Sequence, residues 1–170
     1  MKLIEAMKQI KDLQRKANDL RTKIGQCSAD LDIETPLYED QFGKVKGWLQ
    51  AHSDLCREIL RLRTAIQKTN LQTDVMVDIG GKTVEKTIAE WIHRRRDLAT
   101  LELSAYQQLT DRGLKETNFM QQSTGEKKEI KIRRHYNPEE RDRMVDLFQS
   151  EPLMIDARLE VVNAVTDLVE

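Results

Sequence analysis

The sequence predicts a mainly helical α+β protein, built from a long antiparallel helical hairpin, two further helices and a small two-stranded β element. Charged residues make up 34% of the 170 residues and aromatics only 5%, with 3 Pro and 7 Gly, a balance typical of long amphipathic helices with few turns. Apolar positions recur every three or four residues over most of the chain and alternate only in two short stretches. We expect one domain over residues 1–170, divided into segments 1–74, 75–136 and 137–170.

The first two helices form the predicted hairpin. Apolar or small residues recur at steps of three or four through residues 3–31, and a second apolar seam follows through residues 45–66, with charged residues between its members. The segment 32–47, with one Pro and two Gly, separates them. The residue numbers of facing positions in an antiparallel pair have a constant sum. A sum of 83 places apolar residues opposite each other along most of the hairpin, including Cys27 opposite Cys56. At about 1.5 Å per residue, each arm is roughly 40 Å long.

The middle of the chain is predicted to alternate strand and helix. Val and Ile alternate with Met and Asp over residues 75–79, which indicates a short strand ended by two glycines. Thr83 is a predicted N-cap, and the third helix that follows reaches about Arg112. The polar stretch 116–129 is predicted to be a loop. Residues 130–133 alternate again and predict a second strand, paired with the first.

The C-terminal segment has a clear predicted start. Asn137 is followed by Pro138 and two glutamates, which supplies a cap, a Pro at the first helical position and acids in the first turn. Pro152 is expected to interrupt this helix. A final helix then carries apolar residues at helical spacing from Ile155 to Val169.

One polar pattern occurs twice, with the second copy 93 positions after the first: IQKTNLQTD and LEVVNAVTD. Each reads as an aliphatic residue, three variable positions, Asn, two variable positions, Thr and Asp. Asn and Thr three residues apart share a helix face, so Asn70 with Thr73 and Asn163 with Thr166 present paired hydrogen-bonding groups. We expect one copy to end the second helix and the other the last helix. The pairs would fix the register of helix contacts.

Two basic stretches, residues 94–96 and 131–134, are candidates for contact with a polyanion. The first spreads over more than half of a helix circumference, and the second is typical of an edge strand guarded by charge. Arg95 falls on the apolar stripe of the third helix, so we expect it to point inward and to bond a carboxylate or carbonyl. The same stripe carries Trp91, Leu98 and Leu101, with Glu102 two turns beyond Arg95.

Several function classes find little support in the sequence. The 28 basic and 29 acidic residues nearly cancel, so no net field favours nucleic acid or an anionic membrane as a partner. No stretch is apolar enough for a signal peptide or a transmembrane helix, and we expect a cytoplasmic protein, or a virion protein if the chain is virus-encoded. GGKT lacks the earlier glycine of a phosphate-binding loop, because Met76 occupies that position. With no catalytic or metal-ligand pattern, we expect no enzyme activity, no cofactor and no metal.

In order along the chain, the stretches MKLIEAMKQIKDLQRKANDLRTKI, TNLQT, GGKTVEKTIAEWIHRRRDL, IKI and IDARLEVVNAVTDL resemble the pattern of the septicolysin-like family of small microbial proteins. The more specific matches are small groups of residues: Thr69, Asn70, Thr73, Gly81, Thr83, Arg95, Arg96 and Asp97. In the second copy of the polar pattern, Val-Asn-Ala replaces the more usual Thr-Asn-Trp, and the segment 32–47 is particular to this chain. The resemblance implies the fold rather than an activity.

The sequence favours a non-enzymatic structural or assembly protein that works as a homo-oligomer, a dimer or higher. Arms of roughly 40 Å leave apolar surface that one small core does not cover, so the hairpin is expected to lie against another copy or another structural protein. One alternative is a virus-encoded or accessory component that coats or cements a larger particle. Others are a nucleic-acid-binding module and a membrane-active protein.

Overall fold

The computed structural model describes residues 1–120, 125 and 127–169. Its elements in order are α1 (Leu3–Cys27), α2 (Gln41–Gln72), β1 (Asp74–Ile79), β2 (Lys82–Thr87), α3 (Ile88–His93), a π-helical turn (Arg94–Leu98), α4 (Ala99–Gln107), β3 (Thr117–Met120), β4 (Lys127–Ile130) and α5 (Pro138–Val165). Within the described residues, β1 pairs with β2 and β3 with β4, in two separate sheets. The predicted mainly helical α+β class is confirmed.

The chain divides into two compact units. The first comprises Met1–Val75, Thr87–Ala89 and Leu159–Glu170, and so contains α1, α2 and the end of α5. The second comprises Met76–Lys86 and Glu90–Arg158. The prediction of one domain over residues 1–170 stays a prediction.

In the first unit, α1 and α2 form the predicted antiparallel hairpin. At its tip, the side-chain nitrogen of Gln41 donates to the carbonyl of Cys27 at 3.2 Å. At its base, Ala6 and Ile10 of α1 form a buried cluster with Leu62 of α2. The start of one helix therefore lies beside the end of the other, as the two apolar periodicities require.

The predicted register of this hairpin is wrong. Cys27 lies beside the start of α2, whereas Cys56 follows 15 residues after Gln41, about 22 Å further along the helix. Cys27 is buried and Cys56 is exposed, and both thiols are free. Such a separation rules out a disulfide between them within one chain. Sliding one periodic helix by whole turns keeps apolar residues opposite apolar residues, so the pattern did not define the register.

The segment after α2 is a β-hairpin rather than a strand followed by a helix. β1 confirms the predicted strand, with alternate residues buried. Gly80 and Gly81 have φ angles of 57° and 77°, the positive values that a two-residue hairpin turn of this kind needs at both positions. The turn leads into β2, so the prediction of Thr83 as a helix cap is wrong. Its hydroxyl instead donates to the Asp78 carboxylate across the hairpin at 2.5 Å.

The second predicted strand, over residues 130–133, is largely wrong, because the strand found there is β4, which ends at Ile130. Its predicted pairing with the first strand is also wrong. β3 and β4 are antiparallel, with Thr117 opposite Ile130. The stretch 116–129, predicted as a loop, therefore contains β3 and most of β4; residues 121–124 and 126 lie outside the described residues. A strand partner close in sequence costs little loop-closure entropy, which favours the local hairpin over the distant partner.

α5 begins where the sequence predicts. The side-chain oxygen of Asn137 accepts the backbone N–H of Glu139 at 2.9 Å. The predicted break at Pro152 is wrong, because the helix runs through it. Glu151 and Ile155, on either side of the proline, are both buried. Tertiary packing on that face outweighs the cost of about 3 kcal/mol that a proline imposes on a helix interior.

Candidate functional site

α3, the π-helical turn and α4 form one continuous helix, and the turn changes which residues face inward. The N–H of Ala99 donates to the carbonyl of Arg94, five residues back. Before the turn Trp91 is buried, as predicted. After it Leu98 and Leu101, both on the predicted stripe, are exposed, while Ala99 is buried. A π turn holds one residue more than an α-helical turn, so the apolar stripe moves by one position.

Arg94 is the inward arginine of this helix. It binds both carboxylate oxygens of Glu151, at 2.5 and 3.0 Å, and also pairs with Glu102. Arg95 forms the salt bridge expected of it, with Asp156 at 2.6 Å, but both side chains are exposed. The inward orientation predicted for Arg95 is wrong. The prediction placed Arg95 on a stripe with Leu98, but after the π turn Leu98 is exposed and Ala99 is buried instead.

The contacts of Arg94 stabilise its own charge and that of Glu102. Its hydrogen bond holds the pKa of Glu102 below the usual range. The hydrogen bonds to Glu151 and Glu102 raise the pKa of Arg94 itself, and the guanidinium also lies over the Phe148 ring, 5.5 Å from its centroid. A cavity of about 220 Å³ adjoins the pair, lined by Ile79, Lys82, Val84, Lys86, Trp91, Arg94, Leu147, Phe148 and Glu151. The guanidinium of Arg94, bonded to two carboxylates, is therefore held in one position.

The other basic residues singled out by sequence also have acidic neighbours. Arg96 lies 3.6 Å from Asp97, and both are exposed. Arg134 makes two hydrogen bonds to Asp111, at 2.6 and 2.5 Å, and this pairing lowers the pKa of Asp111. Lys131 pairs with a nearby glutamate at 3.1 Å. Carboxylates of the chain itself therefore balance much of the charge in both basic stretches.

The two copies of the Asn–Thr pattern end α2 and α5, as predicted. In each, the threonine N–H donates to the carbonyl four residues back, at 3.0 Å for Thr73 and 2.9 Å for Thr166. Each threonine carbonyl then accepts the N–H of the first residue of another helix, Ile88 at 2.9 Å and Leu3 at 3.0 Å. The pattern thus builds the same helix-to-helix junction twice, and each junction satisfies an N–H that has no partner within its own helix.

The side chains at these junctions lie inside the first unit. The side-chain oxygens of Asn70 and Asn163 are buried, and neither has a hydrogen-bond donor among the described residues. Thr69 is fully buried; its hydroxyl donates to the Ala65 carbonyl and accepts the Val169 N–H, both at 2.9 Å. Buried atoms of this kind are out of reach of a second copy.

The second junction carries an ion pair that sequence reasoning missed. The ammonium of Lys2 lies 2.9 Å from the Asp167 carboxylate and also donates to the Val165 carbonyl at 2.8 Å. The Leu168 N–H donates to the Met1 carbonyl at 2.8 Å. The hydrogen bond from Lys2 lowers the pKa of Asp167. The partners come from opposite ends of the sequence, so no local spacing could reveal them.

The distal half of the α1–α2 hairpin, next to its tip, has little interior. The buried residues of α2 all lie near its C-terminal end: Leu62, Ala65, Thr69 and Asn70. Within residues 41–61, a stretch the structure describes in full, no residue is buried. An open groove of about 560 Å³ lies between the arms there, with Leu13, Leu20 and Leu55 among its lining residues.

The side of α2 turned away from this groove is also apolar. Leu49, Leu60 and Leu71 are 54%, 65% and 65% exposed, and Phe42 is 84% exposed. The three leucines are spaced by 11 residues, three helical turns, so they form a line about 33 Å long. Cys56 lies on the same side and is exposed. We call these five residues the outer face of α2.

Neither a metal-ligand cluster nor a membrane-spanning helix occurs among the described residues. In that part of the chain, no three His, Cys, Asp or Glu side chains come together as a group that could hold a metal ion. Of the helices described, none combines the length and the apolarity needed to cross a membrane.

The profile of a family of unknown function, DUF6847, matches residues 10–168. The chain belongs to this family. The fold is also similar to that of a functionally unknown conserved protein from Corynebacterium diphtheriae, with a TM-score of 0.58, 22% identity and 99% of each chain covered. No curated protein matches the chain. None of these findings bears on the resemblance to the septicolysin-like family, which stays a prediction.

Proposed function

We propose that this protein is a non-enzymatic assembly component that works as a homo-oligomer through its α1–α2 hairpin. The observation that supports this proposal is the incomplete interior of the hairpin. α2 spans 32 residues, yet its buried residues begin only at Leu62. A helix that extends so far beyond its own core gains most of its stability from packing, so its distal half is expected to pack on another molecule.

The outer face of α2 and the groove between the arms supply the surface for this packing. Monomeric proteins rarely expose large contiguous apolar patches, and such patches mark interaction sites. Burial of one leucine side chain contributes about 1.5–3 kcal/mol, so several leucines would together offset much of the free-energy cost of association. Closed two-fold symmetry is the commonest form of self-association, which makes a dimer the expected product.

The alternative functions have less support. Acidic neighbours of Arg94, Arg95 and Arg134 leave less free positive charge for nucleic acid than the sequence pattern indicates. A larger particle as the partner of the hairpin is the second candidate, because the same apolar surface would serve there. The proposed location is the cytoplasm, or the virion if the chain is virus-encoded.

Analytical ultracentrifugation of wild-type protein and two matched variants tests self-assembly. Leu60→Glu places a charge on the outer face of α2, whereas Leu101→Glu changes an equally exposed helical leucine of the second unit. We expect wild type and Leu101→Glu to sediment at a multiple of 19.8 kDa and Leu60→Glu to sediment as the monomer. A wild type that stays monomeric over a wide dilution series would contradict the proposal.

A further inference from the structure

The tip of the hairpin, residues 28–40, combines acidic charge with exposed apolar side chains. It contains five acidic residues and no Lys, Arg or His. The acids are Asp30, Asp32, Glu34, Glu39 and Asp40. Between them Leu31, Ile33 and Leu37 are 61%, 87% and 75% exposed. A surface of this kind matches a partner surface that is apolar and basic.

Hydrogen bonds hold the tip in a defined shape. The side-chain oxygen of Gln41 accepts the Leu37 N–H at 3.0 Å, while its nitrogen donates to the Cys27 carbonyl and to the Asp30 carboxylate. The ring of Tyr38 meets the Trp48 ring edge-on at 5.5 Å between centroids. A segment already ordered in this way loses less conformational entropy when it binds.

The outer face of α2 has the complementary character. Each of its three leucines has an exposed basic residue three positions away on the same side of the helix: Lys46, Arg63 and Lys68. α2 holds six basic and two acidic residues, and both acids pair with arginines of the same helix. Its surface is therefore apolar along the line of leucines and positive beside it.

We propose that the acidic tip of one copy binds the outer face of α2 of a second copy, and that the contact is reciprocal. This inference rests on the proposed self-assembly and names the segment that carries it. An antiparallel arrangement of two hairpins places each tip beside the end of the partner's α2 that carries Arg63 and Lys68. A parallel arrangement would bring the two acidic tips together, where like charges repel. The tip and the outer face thus select an isologous two-fold dimer.

Charge reversal on either side of this contact tests it. Asp32→Lys with Glu39→Lys reverses exposed charges of the tip, and Arg63→Glu with Lys68→Glu reverses exposed charges beside the leucines. Each double variant should raise the dimer dissociation constant, measured by sedimentation equilibrium at low salt, by at least about tenfold. The quadruple variant, in which the charges are exchanged, should return to within about threefold of wild type.

A control variant and a salt series separate the possible results. Glu85→Lys with Glu160→Lys makes the same change in net charge as the tip variant, at exposed positions that belong neither to the tip nor to the outer face of α2, and should leave the dissociation constant unchanged. High salt should weaken the wild-type dimer and have less effect on the two double variants. A wild-type dimer whose dissociation constant is unaffected by the tip variant overturns the docking of the tip but leaves self-assembly standing. A monomeric wild type overturns both proposals.

Discussion

The two compact units keep different chemistry in their interiors. In the first unit the buried polar residues are uncharged: Thr69 and Asn70. In the second, the carboxylate of Glu151 is 2% exposed and is held by Arg94. A buried hydroxyl needs only a backbone partner or two, whereas a buried carboxylate needs a cation. Each unit therefore depends on a different kind of buried polar contact. Removing one partner of that contact should lower the free energy of unfolding more in the second unit than in the first.

The largest effect is expected in the second unit. Glu151→Ala leaves the guanidinium of Arg94 without its buried partner, and breaking such a pair costs about 3–5 kcal/mol. The matched control is Asp156→Ala, which removes a carboxylate of the same helix from the exposed pair with Arg95. It should cost less than about 1 kcal/mol. Urea unfolding measures both free energies.

The cost at Glu151 should arise from the buried charge of Arg94, which would keep only the half-exposed Glu102 as its partner. Adding Arg94→Met to Glu151→Leu removes both charges, and replacing a buried pair by apolar residues is often close to neutral. We therefore expect the double variant to recover most of the lost free energy of unfolding. Equal losses for Glu151→Ala and Asp156→Ala would show that the buried and exposed pairs do not differ.

A smaller effect is expected in the first unit. Thr69→Val keeps the shape of the side chain but removes the hydroxyl that serves Ala65 and Val169. The backbone N–H of Val169 then lacks its acceptor, at a cost of about 1–3 kcal/mol. Thr64→Val, an exposed position of α2, is the control and should stay within about 0.5 kcal/mol of wild type. Thermal unfolding of the pair gives the comparison; equal stability would contradict a role for the hydroxyl.

The smallest effect concerns pH and the ion pair of the first unit. Because Lys2 lowers the folded-state pKa of Asp167 below its ordinary value of 3.8, the carboxylate stabilises the fold above that value. This contribution is lost as the pH falls through the folded-state pKa. Asp167→Asn should therefore lower the free energy of unfolding at neutral pH and approach wild type in strong acid. Asp74→Asn, in the first copy of the pattern, is the control; identical pH curves for the two variants would argue against the ion pair.

Local patterns in the sequence were enough to predict many elements. Three- and four-residue spacing predicted the arms of the hairpin, because only one side of each helix can meet a core. Asn137 before Pro138 marked the start of α5, and the two Asn–Thr copies marked the ends of α2 and α5, since caps depend on neighbours in the chain. These features depend on contacts between residues that lie only a few positions apart in the sequence.

Only the folded chain reveals how these elements meet. Three features depend on packing between residues that are distant in the sequence. They are the register of α1 against α2, the pairing of the strands, and the inward position of Arg94 in place of Arg95. Helical periodicity repeats every turn, so it names the buried side but leaves the register open. The single extra residue in the π turn then changes which residues of α4 face inward. The Arg94 side chain in that turn is bonded by Glu151, which lies 57 positions away in the sequence, so no local pattern could reveal the contact.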